Sequence, residues 1–219
     1  MLRRVPFGLF AAVVVALVSA GVVLAGNPAK EKIALTKAGN KLARAEVLHR
    51  ADVGAGWAGG FKKPHLPAAL KCSYRPKQSD LVVIGASESV WQKPGFVLDT
   101  ISQVLRTAAM VGKDWRRTVI APQVPSCLRR DLAKSLGASG KVISFGRLAF
   151  PHVAPRTRAF RAVVNVKSSV GTVPLVVDVV ALDVGRNELN LTMSGPKKAG
   201  RSLKRVETHW ARVLTHRAR

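Results

Sequence analysis

"VPLVVDVVALDVGRNELNLTMS", residues 173–194, decides how the chain is read. Val173 to Val184 is almost wholly apolar, as expected of a central strand, and Pro174 is tolerable only at its start because proline has no N–H to donate. Gly185-Arg186 fits a tight hairpin turn with glycine first. Beyond it, Leu189, Leu191 and Met193 alternate with Glu188, Asn190, Thr192 and Ser194. That two-residue period is a strand's, not a helix's. Upstream, "RAFRAVVNVK" (158–167) sets Phe160, Ala162, Val164 and Val166 against Arg161, Asn165 and Lys167, and "SSVGT" turns the chain. Three consecutive antiparallel strands result.

Outward from this core, "VISFGRLAF" (142–150) is a further strand, stopped by Pro151. Gly195-Pro196 closes the sheet, and a last helix is predicted from about Gly200 to His216. At 100° per residue, Leu203, Val206, Trp210, Val213 and Leu214 fall within an arc of about 100°. Arg201, Arg205 and Arg212 lie on the opposite side. A short helix begins at Ser126 ("SCLRRDLAKSLG"), turns Leu128, Leu132 and Leu136 inward and ends at Gly137. Ile101, Val104, Leu105, Ala108, Val111 and Trp115 form one apolar stripe, which predicts a helix from about Asp99 to Asp114. "DLVVIGASES" (80–89) opens as a strand at Leu81 to Ile84, and "DVGAGWAGGFKKPHLPAAL" (52–70) reads as a loop anchored by Trp57. Residues 26–50 suit a helix after a short linker, interrupted at Gly39-Asn40, so 26–39 reads as a linker or arm and 40–219 as the domain. The expectation is a single α+β domain, an antiparallel meander with helices packed on it.

The first residues stand outside that domain. Arg3 and Arg4 precede the uncharged run Phe7 to Ala25, the pattern of a secretory signal, with cleavage sites fitting before Gly21 and before Gly26. Left uncleaved, residues 7–25 would anchor the chain in the membrane. Either way the destination is extracytoplasmic, secreted or anchored. Export makes a Cys72–Cys127 disulfide the default for the two cysteines. The formal charge of +24 falls only to +22 without residues 1–25. Such an excess attracts polyanions: anionic lipid, phosphate polymers of the wall, or nucleic acid. Aromatic residues are too few and too spread for a base-stacking platform, so no specific nucleic-acid partner is expected.

Catalytic chemistry finds little support. Gly85-Ala86-Ser87-Glu88-Ser89 resembles the G-x-S-x-G elbow of an α/β-hydrolase but lacks the second glycine, and Pro94-Gly95 stands where the nucleophile's helix should begin. His209 and His216, seven residues apart, are too far separated for one metal ion. Asp178 and Asp183 point to opposite faces of a strand. No cofactor motif is present. We therefore expect no catalytic residues, metal or cofactor; the competing readings are a hydrolase built from Asp178, His152 and Ser87, or a purely structural envelope protein.

The export signal, the small domain of helices around an antiparallel sheet, the Gly-Trp of "DVGAGW" (52–57) and a mid-chain cysteine joined to a helix cysteine resemble the actinobacterial PknH-like extracellular sensor domain. The likeness covers roughly residues 40–216. It implies a non-enzymatic ligand-binding or sensing module outside the cell. The charge itself places the candidate contact: Lys197, Lys198, Arg201, Lys204, Arg205 and Arg212, continued by Arg217 and Arg219, face Glu207 as their one acid. This basic face is the expected binding site for an anionic envelope polymer or lipid surface.

Overall fold

The computed structural model describes residues 31–64, 74, 76–169 and 171–219. The signal or anchor segment and Cys72 lie outside the described residues. In chain order the elements are β1 (Lys32–Ile33), α1 (Lys37–Glu46), α2 (Arg50–Val53), β2 (Ala58–Lys62), β3 (Val82–Lys93), β4 (Phe96–Leu105), α3 (Ala108–Asp114), a π-turn (Trp115–Val119), α4 (Val124–Leu136), β5 (Gly140–Arg147), β6 (Arg156–Ser168), β7 (Gly171–Val184), β8 (Asn187–Pro196) and α5 (Gly200–Arg217). One eight-stranded sheet runs β1-β3-β4-β8-β7-β6-β5, with β2 also paired to β3.

The three-strand reading holds, with each strand longer than predicted. β6, β7 and β8 are consecutive and antiparallel, and the Gly185-Arg186 turn sets Val184 opposite Asn187. The purely antiparallel expectation is corrected, because β1 pairs parallel to β3 (Lys32 with Val82, Ile33 with Val83), which makes the sheet mixed. The expected disulfide does not enter the described fold either. Cys127 is buried in the first turn of α4 and no described cysteine is free, but its expected partner Cys72 is not among the described residues.

Two further expectations are overturned. The predicted helix over 99–114 is a strand for its first half: β3 and β4 form a hairpin with Lys93 opposite Phe96, and Pro94-Gly95 makes the turn, Gly95 at φ 80°. Helix begins only at Ala108, capped by Thr107 Oγ1 accepting from Met110 N. Of the predicted arm, the described residues 31–39 belong to the fold, as β1 and the start of α1. α1 runs straight through Gly39-Asn40, and Thr36 Oγ1 caps it by accepting from Gly39 N at 2.9 Å. Gly39 is there for proximity: a Cβ on it would stand 2.0 Å from the Ile84 carbonyl oxygen, and one on Gly85 2.1 Å from the Gly39 oxygen. Only two glycines let the helix and strand backbones meet so closely.

The sheet is covered on both sides. On one, even-numbered residues of β7 (Val176, Val180, Leu182) pack with Leu203, Trp210 and Leu214 of α5 and Leu48 after α1. On the other, odd-numbered Val177, Val179 and Ala181 pack with Leu128, Leu132 and Leu136 of α4 and Trp115 and Val119 of the π-turn. The chain thus forms three layers.

Candidate functional site

None of the twelve carboxyl side chains of this strongly basic chain is exposed. Glu46, Glu88, Asp99, Asp114, Asp178, Asp183, Glu188 and Glu207 are buried, and Glu31, Asp52, Asp80 and Asp131 are half-buried. No lysine or arginine among the described residues is buried. Acid sits inside and base outside.

The basic face is where the sequence puts it. Arg201, Arg205 and Arg212 are exposed on the outer side of α5, Lys197 and Lys198 are exposed in the turn before it, and Lys204 is half-buried at its shoulder. His209 and His216 are exposed on the same side, so positions 201, 205, 209, 212 and 216 share an arc of about 80°. Among the described residues none of the six cations forms an ion pair; the pairs belong to Lys113, Arg117, Arg156, Arg161 and Arg217. Arg217 leaves the expected face. It grips Asp52 of α2 at 2.7 and 2.8 Å and the Val47 carbonyl at 3.0 Å, fastening the C-terminal turn.

The inward side of α5 differs from the periodicity reading at one place. Val206 is exposed, and Glu207 takes the inward position, fully buried between Leu203 and Trp210. It faces Asp178 of β7, which accepts from Arg161 Nε at 2.6 Å and from Arg161 Nη2, while Nη2 also donates to the Gly200 carbonyl at 2.8 Å. Burial, then Asp178, push the Glu207 carboxyl up to about 9. Glu207 therefore keeps its proton at neutral pH. Asp178 is structural, the charged partner of a cross-strand arginine.

Ser87, His152 and Asp178 are not assembled. Ser87 is buried in mid-β3 opposite Ser102, His152 is exposed in the loop before β6, and three strand spacings of about 4.8 Å separate β3 from β7. β3 carries no elbow at Ser87 but continues to Lys93. Among the described residues no group of three His, Cys, Asp or Glu has the arrangement to hold a metal ion.

Pattern reading missed the other face of the sheet. Register places Arg156, Asp183, Glu188 and Gln103 in one row across β6-β7-β8-β4, Arg158, Ala181, Asn190 and Ile101 in the next, and Phe160, Val179, Thr192 and Asp99 in a third. Residues directly opposite share a face, so one end of this buried face is polar. Seven of its buried side-chain atoms have no hydrogen-bond partner: Asp99 Oδ1, Gln103 Nε2, Arg158 Nε, Asp183 Oδ2, Glu188 Oε1, Asn190 Oδ1 and Ser194 Oγ. Native interiors leave few such groups.

At this end a cavity of about 10 Å³, one water's worth of space, is walled by Asp114, Trp115, Val119, Asp183, Glu188 and Asn190. The π-turn shapes it: its i-to-i+5 hydrogen bond from Ile120 N to Trp115 O (3.1 Å) carries Trp115 over the carboxyls. Such π-bulges recur at functional sites. Asp114 accepts from Gln78 Nε2 at 2.7 Å and Thr118 Oγ1 at 3.2 Å, and Glu188 also hydrogen-bonds it. Burial raises Asp114 to about 6 and Asp183 to about 8, and raises Glu188 well above the usual carboxyl range, with the neighbouring acids adding to the rise at Asp183 and Glu188. Outside, Arg117 clamps Asp80 at 2.7 and 3.2 Å and holds its carboxyl well below the usual range. A sequence signal existed: Asp183 and Glu188 flank the Gly185-Arg186 turn at paired positions, two acids side by side on one face.

Sequence comparison matches the chain to no protein family and to no curated protein. Its structure is similar to that of an uncharacterised Mycobacterium smegmatis protein, the Rv0999 ortholog, at 11 % identity and TM-score 0.41, over 81 % of this chain and 97 % of that one. It is similar also to LpqN, involved in cell envelope biogenesis of Mycobacterium tuberculosis, at 10 % identity and TM-score 0.31, over 72 % and 76 % of the two chains. A third similar structure is a Pseudomonas aeruginosa protein of unknown function, at 12 % identity and TM-score 0.28, over 68 % and 94 %.

Proposed function

We propose that the chain is a non-catalytic binding module of the extracytoplasmic envelope that engages a phosphate-rich polyanion through the outer face of α5. One observation carries the reading: no carboxyl side chain is fully exposed, while Lys197, Lys198, Arg201, Arg205 and Arg212 stand exposed without a carboxylate partner among the described residues. Ordinary solvated helices intersperse both signs; this one does not. The uncharged apolar run Phe7 to Ala25 behind Arg3 and Arg4 supports export as the setting. Contact is by adsorption, since the apolar side of α5 is used against the sheet and Val206 is its one exposed large apolar residue.

The test is retention of the mature protein on polyphosphate and on phosphatidylglycerol vesicles as salt rises from about 50 to about 500 mM. Binding should fall steeply as released counterions lose their advantage. Arg201→Ala, Arg205→Ala and Arg212→Ala together should weaken it about 100-fold at low salt, at about 1 kcal/mol per surface cation. Preference for polyphosphate identifies a polymer, preference for vesicles a lipid surface. Salt-independent retention removes the proposal.

A further inference from the structure

We propose that the cavity between the π-turn and the β7–β8 hairpin binds a compact, hydrogen-bond-donating cation, an ammonium group in size and chemistry. Four oxygen-bearing side chains from three elements converge there: Asp114 from α3, Asp183 from β7, and Glu188 and Asn190 from β8. Asp183 Oδ2, Glu188 Oε1 and Asn190 Oδ1 have no hydrogen-bond partner, and their residues are only 5 %, 8 % and 8 % exposed. The unmet atoms lining the space are therefore oxygens, which act as acceptors once a carboxyl gives up its proton. A single water donates two hydrogen bonds, whereas ammonium donates four in a similar volume. An anion would meet carboxyls on three of the four polar side chains that line the space.

The nearby cations do not meet this demand. Arg156 Nη1 stops 3.7 Å from Asp183 Oδ2, beyond hydrogen-bond reach, and Arg117 is spent on Asp80. The charged and titratable groups that bear on the cavity are Glu31, Asp114, Arg117, Arg156, Asp183 and Glu188. Burial currently keeps protons on the carboxyls, so an entering cation lets one ionise and a proton leaves as the ligand binds. Net charge in the cavity is unchanged by that exchange. Trp115, Val119, Ala181 and Leu189 supply the apolar part of the wall.

The experiment compares ammonium, methylammonium, potassium and tetramethylammonium chlorides at matched ionic strength on the whole mature chain. Ammonium should raise Tm by about 5 °C at saturation relative to tetramethylammonium, release protons on titration into weakly buffered protein, and give a bound ¹⁵N-ammonium signal distinct from that of the free ion. Methylammonium acting as well as ammonium assigns the site to the head of an amine-bearing molecule; ammonium acting alone assigns it to the free ion. Asp183→Asn and Asn190→Leu, which alter the cavity in different ways, should each abolish the increment. Potassium equalling ammonium, all four salts acting alike, or an increment kept in both variants would overturn the proposal.

Discussion

The α5 outer face and the polar end of the α4-side sheet face carry the chain's charge under opposite rules. On α5, guanidinium groups stand in water and their neighbours are other basic side chains. Under the π-turn, carboxyls sit among Trp115, Val119 and Ala181 with too few donors, and burial leaves most of them protonated near neutrality. The surface is consequently more positive than a count of residues suggests, because several of the acids that would offset it, Asp183, Glu188 and Glu207 among them, are held protonated by burial. A formal charge describes composition; the field a partner meets depends on which groups are wet.

The sharpest way to break this comparison is pH. Asp183 (about 8), Glu207 (about 9), Glu46 (about 7) and the raised Asp99 and Glu188 all keep protons that their unfolded counterparts release near pH 4. The unfolded state then binds fewer protons than the folded one between roughly pH 4 and 9, so stability is full at the acid end and falls as pH rises. The slope is about 1.4 kcal/mol per pH unit for each retained proton. Asp80, whose carboxyl is lowered, acts only below this window. Urea midpoints at about pH 5, 6.5 and 8 should decline in that order, and a flat or rising series refutes the buried-neutral description.

Next in size is Asp178→Leu. It strands Arg161 opposite an apolar residue and should cost about 3–5 kcal/mol in the same urea assay, as for other broken buried pairs. Glu207→Gln is the opposite probe. The amide keeps a donor toward Asp178 without a titrating proton, so stability at about pH 8 should change by less than about 1 kcal/mol and the pH slope should lessen. The smallest effect on the fold belongs to the α5 triple alanine variant. Solvated side chains without partners should shift stability by no more than about 0.5 kcal/mol while polyanion retention collapses.

The hairpin strands were readable because β6 and β8 alternate with a period of two and β7, covered on both faces, is an almost unbroken apolar run ending at a glycine turn. β4 was not. Asp99, Ile101 and Gln103 face one way, and Thr100, Ser102 and Val104 the other, so polar and apolar residues mix on both covered faces. Its apolar positions happen to fit a helical stripe equally well, and only the Pro94-Gly95 turn decides for the strand. Gly39 misled for a related cause: a glycine reads as a breaker unless one knows that the Ile84–Gly85 backbone lies against it. Of the candidate site, the basic face was visible because helical geometry is local. The carboxyl cavity was hidden because Asp114 and Glu188, more than seventy positions apart, meet only through packing.

By itself the amino-acid order determined the strand hairpins, the arginine side of α5 and the excess of positive charge, since each depends on residues a few positions apart. Tertiary packing alone decided that the sheet is mixed, that β4 is a strand, and that the acids lie inside. Whether a carboxyl is charged depends on the water and donors around it, and those are supplied by segments distant in the chain.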